Sequence, residues 1–387
     1  MKKMLKRIAV AACAAALGVT SVAAFAGCSS SSSDETVKIG VLVADVSGEE
    51  ALAFRSYYED YIAKQYDVTF TYTDALSDAA GEKSAIESFA AQGYDAIISL
   101  SSNDRATQVE TCEEYGMYYA VASGMMDDDV FETYKSYEYF VGQIGPSMDT
   151  EYDAGLAMGE YYAEKDMDCV AIYGAFIPNS MHVYRMAGLL TGLGITYDGY
   201  TGSDIVTAIY ADSGVDSTKL AKSGMTIYYM TSYTDSTYTE LSTIIAAAPD
   251  AYLSVGMATT FFASSLDAAG IPYADIDSFT STNGELMNSG CLEYLAGKYT
   301  SSIGPIFAAV YNAVKGNKIE DDGCAISIGQ DYWVATSYDQ FEVFQSADSA
   351  TSPIYNKTLL DTVIVTDSNS VSYSDFEDFV TTDRTPS

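Results

Sequence analysis

The residues of this chain that can do chemistry are polar side chains that follow strand-like apolar runs. Asp45 comes directly after the run at 37–44, and Asn103 comes shortly after the run at 95–100. Arg185 lies within the first two turns of a predicted helix at 180–193. Carboxylates accept hydrogen bonds, amides both donate and accept them, and a guanidinium offers five fixed donors. Together these groups suit the recognition of a small polar molecule.

The sequence predicts no catalytic centre, no cofactor and no metal site. It contains neither G-x-S-x-G nor G-x-x-x-x-G-K-[ST], and its single histidine, His182, excludes H-E-x-x-H. Nothing places two of the 54 acidic residues across a scissile bond. One histidine without a C-x-x-C pair argues against zinc. The acidic runs at 127–129 and 320–322 lack the alternating spacing of a calcium loop, so we interpret them as solvated loops.

The first 27 residues are typical of an export signal. A basic head at 2–7 precedes an alanine-rich apolar stretch that is short for a membrane span. The sequence FAGC at 25–28 resembles the bacterial lipobox, with phenylalanine in place of the usual leucine. Cys28 is therefore the predicted lipidated first residue of the mature chain, and the serine-rich stretch 28–36 is its predicted tether. The alternative interpretation is an ordinary secretory signal with an incidental cysteine.

Charge and composition exclude two classes of partner. Four of the 19 basic residues and none of the 54 acidic ones lie in 1–27, so the mature chain carries a formal charge of −39. Nucleic acid and anionic lipid both repel such a chain.

A hydrophobic content of 48% with 19% charged residues is typical of a globular protein. Roughly 350 mature residues exceed what one hydrophobic core supports, so we expect two lobes.

Strand-like and helix-like patterns alternate along the chain from residue 37. Apolar runs predict buried strands at 37–44, 68–72, 95–100 and 117–122, with amphipathic helical patterns between them. The rhythm restarts after Gly145, with strands predicted at 169–173, 226–230, 250–255 and 277–280. The remaining predictions are strand and hairpin within 195–224, a helix at 285–295, and strands at 325–328, 341–344 and 362–365. Repeated β-α units of this length predict two doubly wound parallel sheets.

Several segments of the chain, taken together, resemble those of a known protein family. They are the first strand and helix, KIGVLVADVSGEEALAFRSYYED, the third strand, GYDAIISLSSN, and the late segment FAAVYNAVKGNKI. Residues 148–164 look like a helix that opens a second lobe, and Arg185 with Gly188 forms an R-x-x-G pattern. These features resemble the type 1 periplasmic solute-binding proteins of the ribose-binding kind. The resemblance covers nearly all of 37–366.

The resemblance implies an α/β fold with two Rossmann-like lobes, each a doubly wound parallel sheet, joined by a three-segment hinge. The chain is expected to cross between the lobes near 141–145, 299–302 and 330–333. We expect 37–142 with 303–328 to form the first lobe, and 143–299 with 331–366 to form the second. A polar C-terminal segment, 367–387, follows them.

The resemblance also implies a role. The chain resembles the substrate-binding components of ABC importers. This resemblance implies a lipid-anchored monomer on the outer face of the cell membrane, with permease subunits as partners. The expected ligand is a sugar, with a nucleoside or a small signalling molecule as alternatives, and delivery to a sensor kinase is the alternative role. Two family positions differ. GMAT at 256–259 replaces the usual Asn-Asp, and Ser281-Thr282-Asn283 replaces the next loop's aspartate, so the usual carboxylate grip on sugar hydroxyls is not matched.

We expect the ligand at the carboxyl ends of the parallel strands, in the crevice between the lobes. Each candidate has an alternative role: a surface ion pair for Arg185, an exposed helix position for His182, core packing for Phe54 and hinge packing for Trp333. The predicted ligand-binding residues are Asp45, Glu49, Phe54, Ser102, Asn103, Ser123, Phe176, His182, Arg185, Tyr233, Asp235, Met257, Asn283, Tyr299 and Trp333.

Overall fold

A six-stranded, wholly parallel sheet forms the first lobe. The computed structural model of the chain describes residues 36–175, 179–231, 237–366 and 369–387. The strands of this sheet are β1 (Val37–Val43), β2 (Val68–Tyr72), β3 (Ala96–Leu100), β4 (Tyr118–Ala122), β5 (Phe140–Gly145) and β13 (Ile326–Gly329). Their order across the sheet is β13-β5-β4-β3-β1-β2. Near-continuous apolar runs form these strands because helices cover both faces of the sheet.

A second six-stranded sheet forms the other lobe. Its strands are β6 (Cys169–Tyr173), β9 (Thr226–Met230), β10 (Ala251–Ser254), β11 (Tyr273–Ser278), β12 (Leu292–Lys298) and β14 (Trp333–Ala335). Their order is β14-β12-β11-β10-β6-β9, and the edge strand β14 alone runs antiparallel. Two short strands, β7 (Thr196–Tyr197) and β8 (Leu220–Ala221), form a separate hairpin. The fold class predicted from the sequence, two doubly wound lobes, is confirmed.

Helices connect the strands and begin at side-chain caps in several places. Asp78, Asp104 and Ser147 each accept a hydrogen bond from the first turn of the helix that follows. The first helix, Glu49–Ser56, continues through a π-helical segment, Tyr57–Ile62, and a last α-helical turn, Ala63–Gln65. The helices are α1 (Glu49–Ser56), α2 (Ala79–Ala91), α3 (Arg105–Tyr115), α4 (Asp128–Tyr134), α5 (Met148–Ala163), α6 (Ser180–Leu193), α7 (Asp204–Ala211), α8 (Thr237–Ala247), α9 (Ala258–Phe261), α10 (Ala263–Ala269), α11 (Ser281–Ser289), α12 (Gly304–Val314), α13 (Tyr338–Ala347), α14 (Lys357–Leu360) and α15 (Tyr373–Thr381).

The chain passes from one sheet to the other at three places. The first lies between β5 and α5, and the second lies between β12 and the short 3-10 helix Thr300–Ile303. The third lies between β13 in the first sheet and β14 in the second. Because three segments of the chain connect the two lobes, the lobes can move relative to each other only by bending at these crossings.

Close packing of α5 on α6 builds the second lobe beside the cleft. A methyl group at Gly155 would overlap the carbonyl oxygen of Arg185, and one at Gly188 would overlap that of Tyr152. Glycine at these positions therefore lets the two helix backbones come into direct contact. This contact fixes Arg185 on α6 against the first turns of α5.

Several elements differ from the sequence prediction. The strand predicted at 277–280 is β11 (Tyr273–Ser278), and the exposed acidic run 127–129 leads into α4 instead of forming a loop. The predicted helix at 285–295 is the end of α11 and the beginning of β12, because Gly290 has a φ of 87° and terminates the helix. The predicted strand at 341–344 lies within α13, where Phe341 and Phe344 share one buried face. Residues 362–365 form no strand and continue in turns after α14. The stretch 195–224 contains α7 in addition to its hairpin.

The last part of the chain returns to the first lobe. Tyr57 Oη donates to the Tyr355 carbonyl at 2.6 Å, and Asn312 Nδ2 donates to the Val363 carbonyl at 2.8 Å. Phe376 and Phe379 on α15 are buried in the same core. The stretch 331–366, assigned above to the second lobe, is therefore divided, and its end packs on first-lobe helices. Burial of apolar surface explains this position, because the stretch covers the aromatic face of α1 and its π-helical continuation.

Candidate functional site

A cavity of about 720 Å³ lies between the carboxyl ends of the two sheets. The last residues of β1, β3 and β4 line its first-lobe side, and the start of α6 and the end of β12 line the opposite side. Four predicted ligand-binding residues line it: Asp45, Phe54, Ser102 and Ser123. The sequence analysis missed others that line it, namely Glu50, Arg105, Asp127, Glu151, Asn179, Ser180 and Lys298.

Asp45 organises the loop that leads from β1 into α1. Its carboxylate accepts hydrogen bonds from the backbone N–H groups of Ser47 and Gly48, each at 2.9 Å. The hydrogen bond from Ser47 is the main reason why the pKa of Asp45 lies below its ordinary value, so this side chain is ionised at neutral pH. Asp45 is exposed towards the cavity, whereas Phe54 behind it is buried and joins the hydrophobic core.

Arg105 is the first residue of α3 and extends into the same cavity. Its Nη1 donates to the Met125 carbonyl, and its Nε–H is shielded from solvent without a partner among the described residues. Burial lowers the pKa of Arg105, but the group remains a cation. The sequence did carry a signal for this position, because Asp104 is a helix cap at the end of a buried strand. We assigned the site to the neighbouring Asn103 instead.

Hydrogen bonds across the cleft hold the two lobes together. Lys298 at the end of β12 pairs with Glu50 of α1 at 2.9 Å and donates to Ser123 Oγ at 3.1 Å. Ser180 Oγ at the start of α6 donates to Asp127 at 3.1 Å. Thr282, at the start of α11, donates to Glu49 through both its backbone N–H and its hydroxyl. The lobes are therefore closed on each other around the cavity.

Arg185 has protein partners on most of its guanidinium and does not line the cavity. Nε donates to Glu151 at 2.6 Å, Nη1 donates to the carbonyls of Val255 and Ile276, and Nη2 donates to Tyr332 Oη at 2.8 Å. Burial alone would lower the pKa of Arg185, but the Glu151 carboxylate raises it above its ordinary value. The expectation that Arg185 is the main second-lobe donor to the ligand is not supported by this geometry. It anchors the hinge residue Tyr332 to the second lobe instead.

Three further predicted residues lie outside the cavity: Asn103 is exposed, and Asn283 and His182 are buried. Asn103 donates to Glu82 at 2.9 Å, and Asn283 donates to the Ser278 carbonyl at 2.8 Å. His182 is buried rather than exposed, and burial lowers its pKa to about 3, so it is neutral. None of these three lines the cavity between the sheets.

The predicted aromatic residues at the crossings pack on each other. Tyr299 and Trp333 are stacked, with ring centroids 4.0 Å apart and ring planes 7° apart. Both are buried, so hinge packing, the alternative given for Trp333, describes their contacts. Two other predicted residues lie elsewhere. Met257 caps α9 in a left-handed conformation with a φ of 78° and is partly exposed. Glu49 accepts hydrogen bonds from Thr282 across the cleft. Phe176, Tyr233, Asp235 and Cys28 lie outside the described residues.

Buried Asp275 and half-buried Asp277 share one hydroxyl below the cleft in the second lobe. Thr259 Oγ1 lies 3.0 Å from Asp275 Oδ2 and 2.7 Å from Asp277 Oδ2. A hydroxyl has a single proton to donate, so one of the two contacts needs a proton on a carboxyl group. Burial, followed by the charge of Asp277, raises the pKa of Asp275 to about 7. Asp275 is therefore the carboxyl group that carries this proton below neutral pH.

Among the described residues, no three histidine, cysteine or acidic side chains are grouped so as to hold a metal ion. Within the same part of the chain, no helix has the length and apolar character needed to cross a membrane.

Solved structures similar to this chain share its fold at low sequence identity. An ABC transporter solute-binding protein of Bacillus halodurans with bound myo-inositol has 17% identity and a TM-score of 0.57, covering 82% of this chain and 100% of that one. A solute-binding protein of Actinobacillus succinogenes with bound D-allose has 16% identity and a TM-score of 0.59, covering 79% and 99%. The transcription regulator CcpA of Lactococcus lactis has 12% identity and a TM-score of 0.52, covering 78% and 99%.

These likenesses identify the fold class. The chain has the fold of the type 1 periplasmic binding proteins, as its resemblance at the sequence level implied. No protein-family model and no curated protein sequence matches the chain. Because transport proteins and a gene regulator share the fold, the fold does not by itself define the role.

Replacement of Arg185 by glutamine should destabilise the protein more than any exposed arginine replacement. The change leaves the buried Glu151 carboxylate without its counter-charge, which typically lowers the free energy of unfolding by about 3–5 kcal/mol. Arg55→Gln is the matched control, because its pair with Glu59 is exposed and should contribute within about 1 kcal/mol. Urea unfolding measures both variants. Equal unfolding midpoints for the two would contradict a structural role for the Arg185 network.

The shared proton predicts a pH dependence of stability. With a pKa near 7 in the folded state and 3.8 as its ordinary value, Asp275 binds a proton more strongly when folded. Its contribution to the free energy of unfolding should therefore fall as pH rises from about 4 to 7, by up to roughly 1.4 kcal/mol per pH unit. Asp275→Asn should flatten this slope, and Asp378→Asn, at an exposed carboxylate, should not. A slope unchanged in Asp275→Asn, measured by urea unfolding at several pH values, would exclude this linkage.

Proposed function

We propose that this protein is the extracytoplasmic, lipid-anchored substrate-binding component of an ABC importer, and that it binds a sugar between its lobes. The observation that carries the proposal is the cavity itself. It lies at the carboxyl ends of two parallel sheets and is lined by charged and hydroxyl groups from both lobes. A ligand held there contacts both lobes at once and so favours the closed arrangement.

The chemistry of the lining supports a polyhydroxylated ligand. Each sugar hydroxyl both donates and accepts, so it matches a site that offers carboxylates and cations together. Asp45, Asp104 and Asp127 provide acceptors, and Arg105 and Ser102 provide donors. The solved structures that share the fold include proteins with bound myo-inositol and D-allose, which are ligands of this kind. The proposed role is capture and delivery without chemical change of the ligand.

The contacts across the cleft suit repeated opening and closing. The pair between Lys298 and Glu50 is partly exposed, and such pairs contribute only about 0–1 kcal/mol each. Water replaces these contacts at little cost when the lobes separate. The closed state is then favoured mainly by the ligand, which is the property required of a protein that must later release it.

A cavity-filling substitution tests the location of binding. The purified mature protein should melt at a higher temperature with at least one of myo-inositol, D-allose, L-arabinose, D-galactose and D-glucose, because a bound ligand stabilises the folded state. Ser102→Trp, which places an indole in the cavity, should abolish that increase. Ser84→Trp, on the exposed surface of α2, should retain it. A sugar-dependent shift that survives in Ser102→Trp would exclude this cavity as the binding site.

The lipid anchor is tested separately from binding. Cys28→Ala removes the only residue that the proposed lipobox could modify, so the protein should move from the membrane fraction to the medium or remain unprocessed. Metabolic labelling with a radioactive fatty acid should give no signal in this variant. Membrane retention and labelling equal to those of the parent protein would contradict the anchor and leave the sugar-binding proposal standing.

A further inference from the structure

Arg105 holds a fixed place in the cleft because its loop is tied down from below. Glu82 is buried in α2, and its carboxylate accepts from Ser101 Oγ at 2.5 Å and from the backbone N–H groups of Asn103 and Asp104 at 3.0 Å each. Asp104 then caps α3 by accepting from Thr107 N at 2.9 Å. The base of the Arg105 side chain is therefore held by a rigid turn at the end of β3.

The guanidinium of Arg105 has hydrogen-bonding capacity that the protein leaves unused. Its Nη1 donates to the Met125 carbonyl, while Nε–H is shielded from water and has no acceptor among the described residues. Within those residues, no carboxylate forms an ion pair with it, in contrast to Arg185 and Lys298. The side chain is half-buried, and the charges of Asp127 and Glu82 act on it without forming an ion pair, so its loss of hydration is only partly compensated. Oxygen atoms of a ligand in the cavity would supply the missing acceptors.

The charges around the cavity disfavour an anionic ligand. Glu50 is neutralised by Lys298, and Glu151 is neutralised by Arg185. Asp45, Asp104 and Asp127 also line the cavity and form no ion pair in the part of the chain that the structure describes, so three carboxylates outnumber the one unpaired cation. This excess of negative charge repels an anionic ligand. A hydroxyl group satisfies both kinds of side chain, because it accepts from Arg105 and donates to a carboxylate.

We propose that Arg105 is the principal first-lobe donor to the ligand and that the site selects an uncharged polyol over the corresponding sugar acid. This inference rests on the proposed sugar-binding function and adds to it a specificity-determining residue and a charge requirement. It places the arginine of the site on the loop after β3, in the first lobe, and assigns the arginine of α6 to the hinge.

Titration calorimetry tests the proposal with two matched pairs of probes: D-glucose with D-glucuronate, and D-galactose with D-galacturonate. The neutral polyol myo-inositol and the neutral sugar D-allose complete the set, and both count as neutral ligands below. The parent protein, Arg105→Gln, Arg105→Lys and the exposed-arginine control Arg55→Gln are compared. For a neutral sugar that the parent binds, Arg105→Gln should raise Kd by roughly 30-fold or more. Arg105→Lys should recover part of the affinity, since an ammonium cannot form the planar fork, and Arg55→Gln should match the parent.

A melting control and three binding outcomes separate the possible failures. Unliganded Arg105→Gln should melt at or above the temperature of the parent, because it removes a half-buried charge that has no ion pair, so weaker binding cannot be attributed to unfolding. If the parent binds a neutral sugar and Arg105→Gln binds it equally well, the role of Arg105 is wrong while the proposed function stands. If a sugar acid binds more tightly than its neutral partner, the charge requirement is wrong. If the parent binds none of the neutral sugars, the proposed function itself is contradicted.

Discussion

The buried ion pair between Arg185 and Glu151 is the interaction on which the arrangement of the cleft depends. It joins α5 to α6, includes the carbonyl of Val255 directly after β10 and that of Ile276 within β11, and reaches the third crossing through Tyr332. A buried charge pair with all these hydrogen bonds has one favourable geometry, so it fixes the strand ends relative to the hinge. Glu151 also lines the cavity, so the network lies between the cavity and the third crossing.

The polar groups around the cleft are held firmly below its surface and weakly at its surface. Below the surface, Glu82 and the pair of Asp275 with Thr259 use buried hydrogen bonds to fix the loops at the strand ends. At the surface, Lys298, Ser180 and Thr282 form exposed or partly exposed contacts with the opposite lobe. Rigid loops supply a preorganised site, and weak contacts across the cleft allow it to open. Both properties are needed for reversible capture of a small molecule.

The sequence was sufficient for the fold and insufficient for the site, for a physical reason. Continuous apolar runs such as β1 and the apolar periodicity of α6 are local signals, so their bounds were predicted closely. Phe341 and Phe344 are three residues apart, which places them on one face of a helix but on opposite faces of a strand, so this spacing favoured the helix that the structure shows. The partners of Arg185 lie far away in sequence, since Glu151 is 34 residues distant and Tyr332 is 147. A single sequence shows that an arginine is near a strand end, but it does not show which partner binds it, and Arg105 was therefore missed.

Hydrogen–deuterium exchange of the mature protein, with and without the sugar that gives the largest thermal shift, is the most direct test of binding between the lobes. Bound sugar should slow amide exchange on both sides of the cleft, at 101–106 and 123–127 in the first lobe and at 180–186 in the second. The edge hairpin of β7 and β8 should exchange at an unchanged rate, because it lies away from the cavity lining. Protection confined to one lobe, or found only outside these segments, would contradict the account.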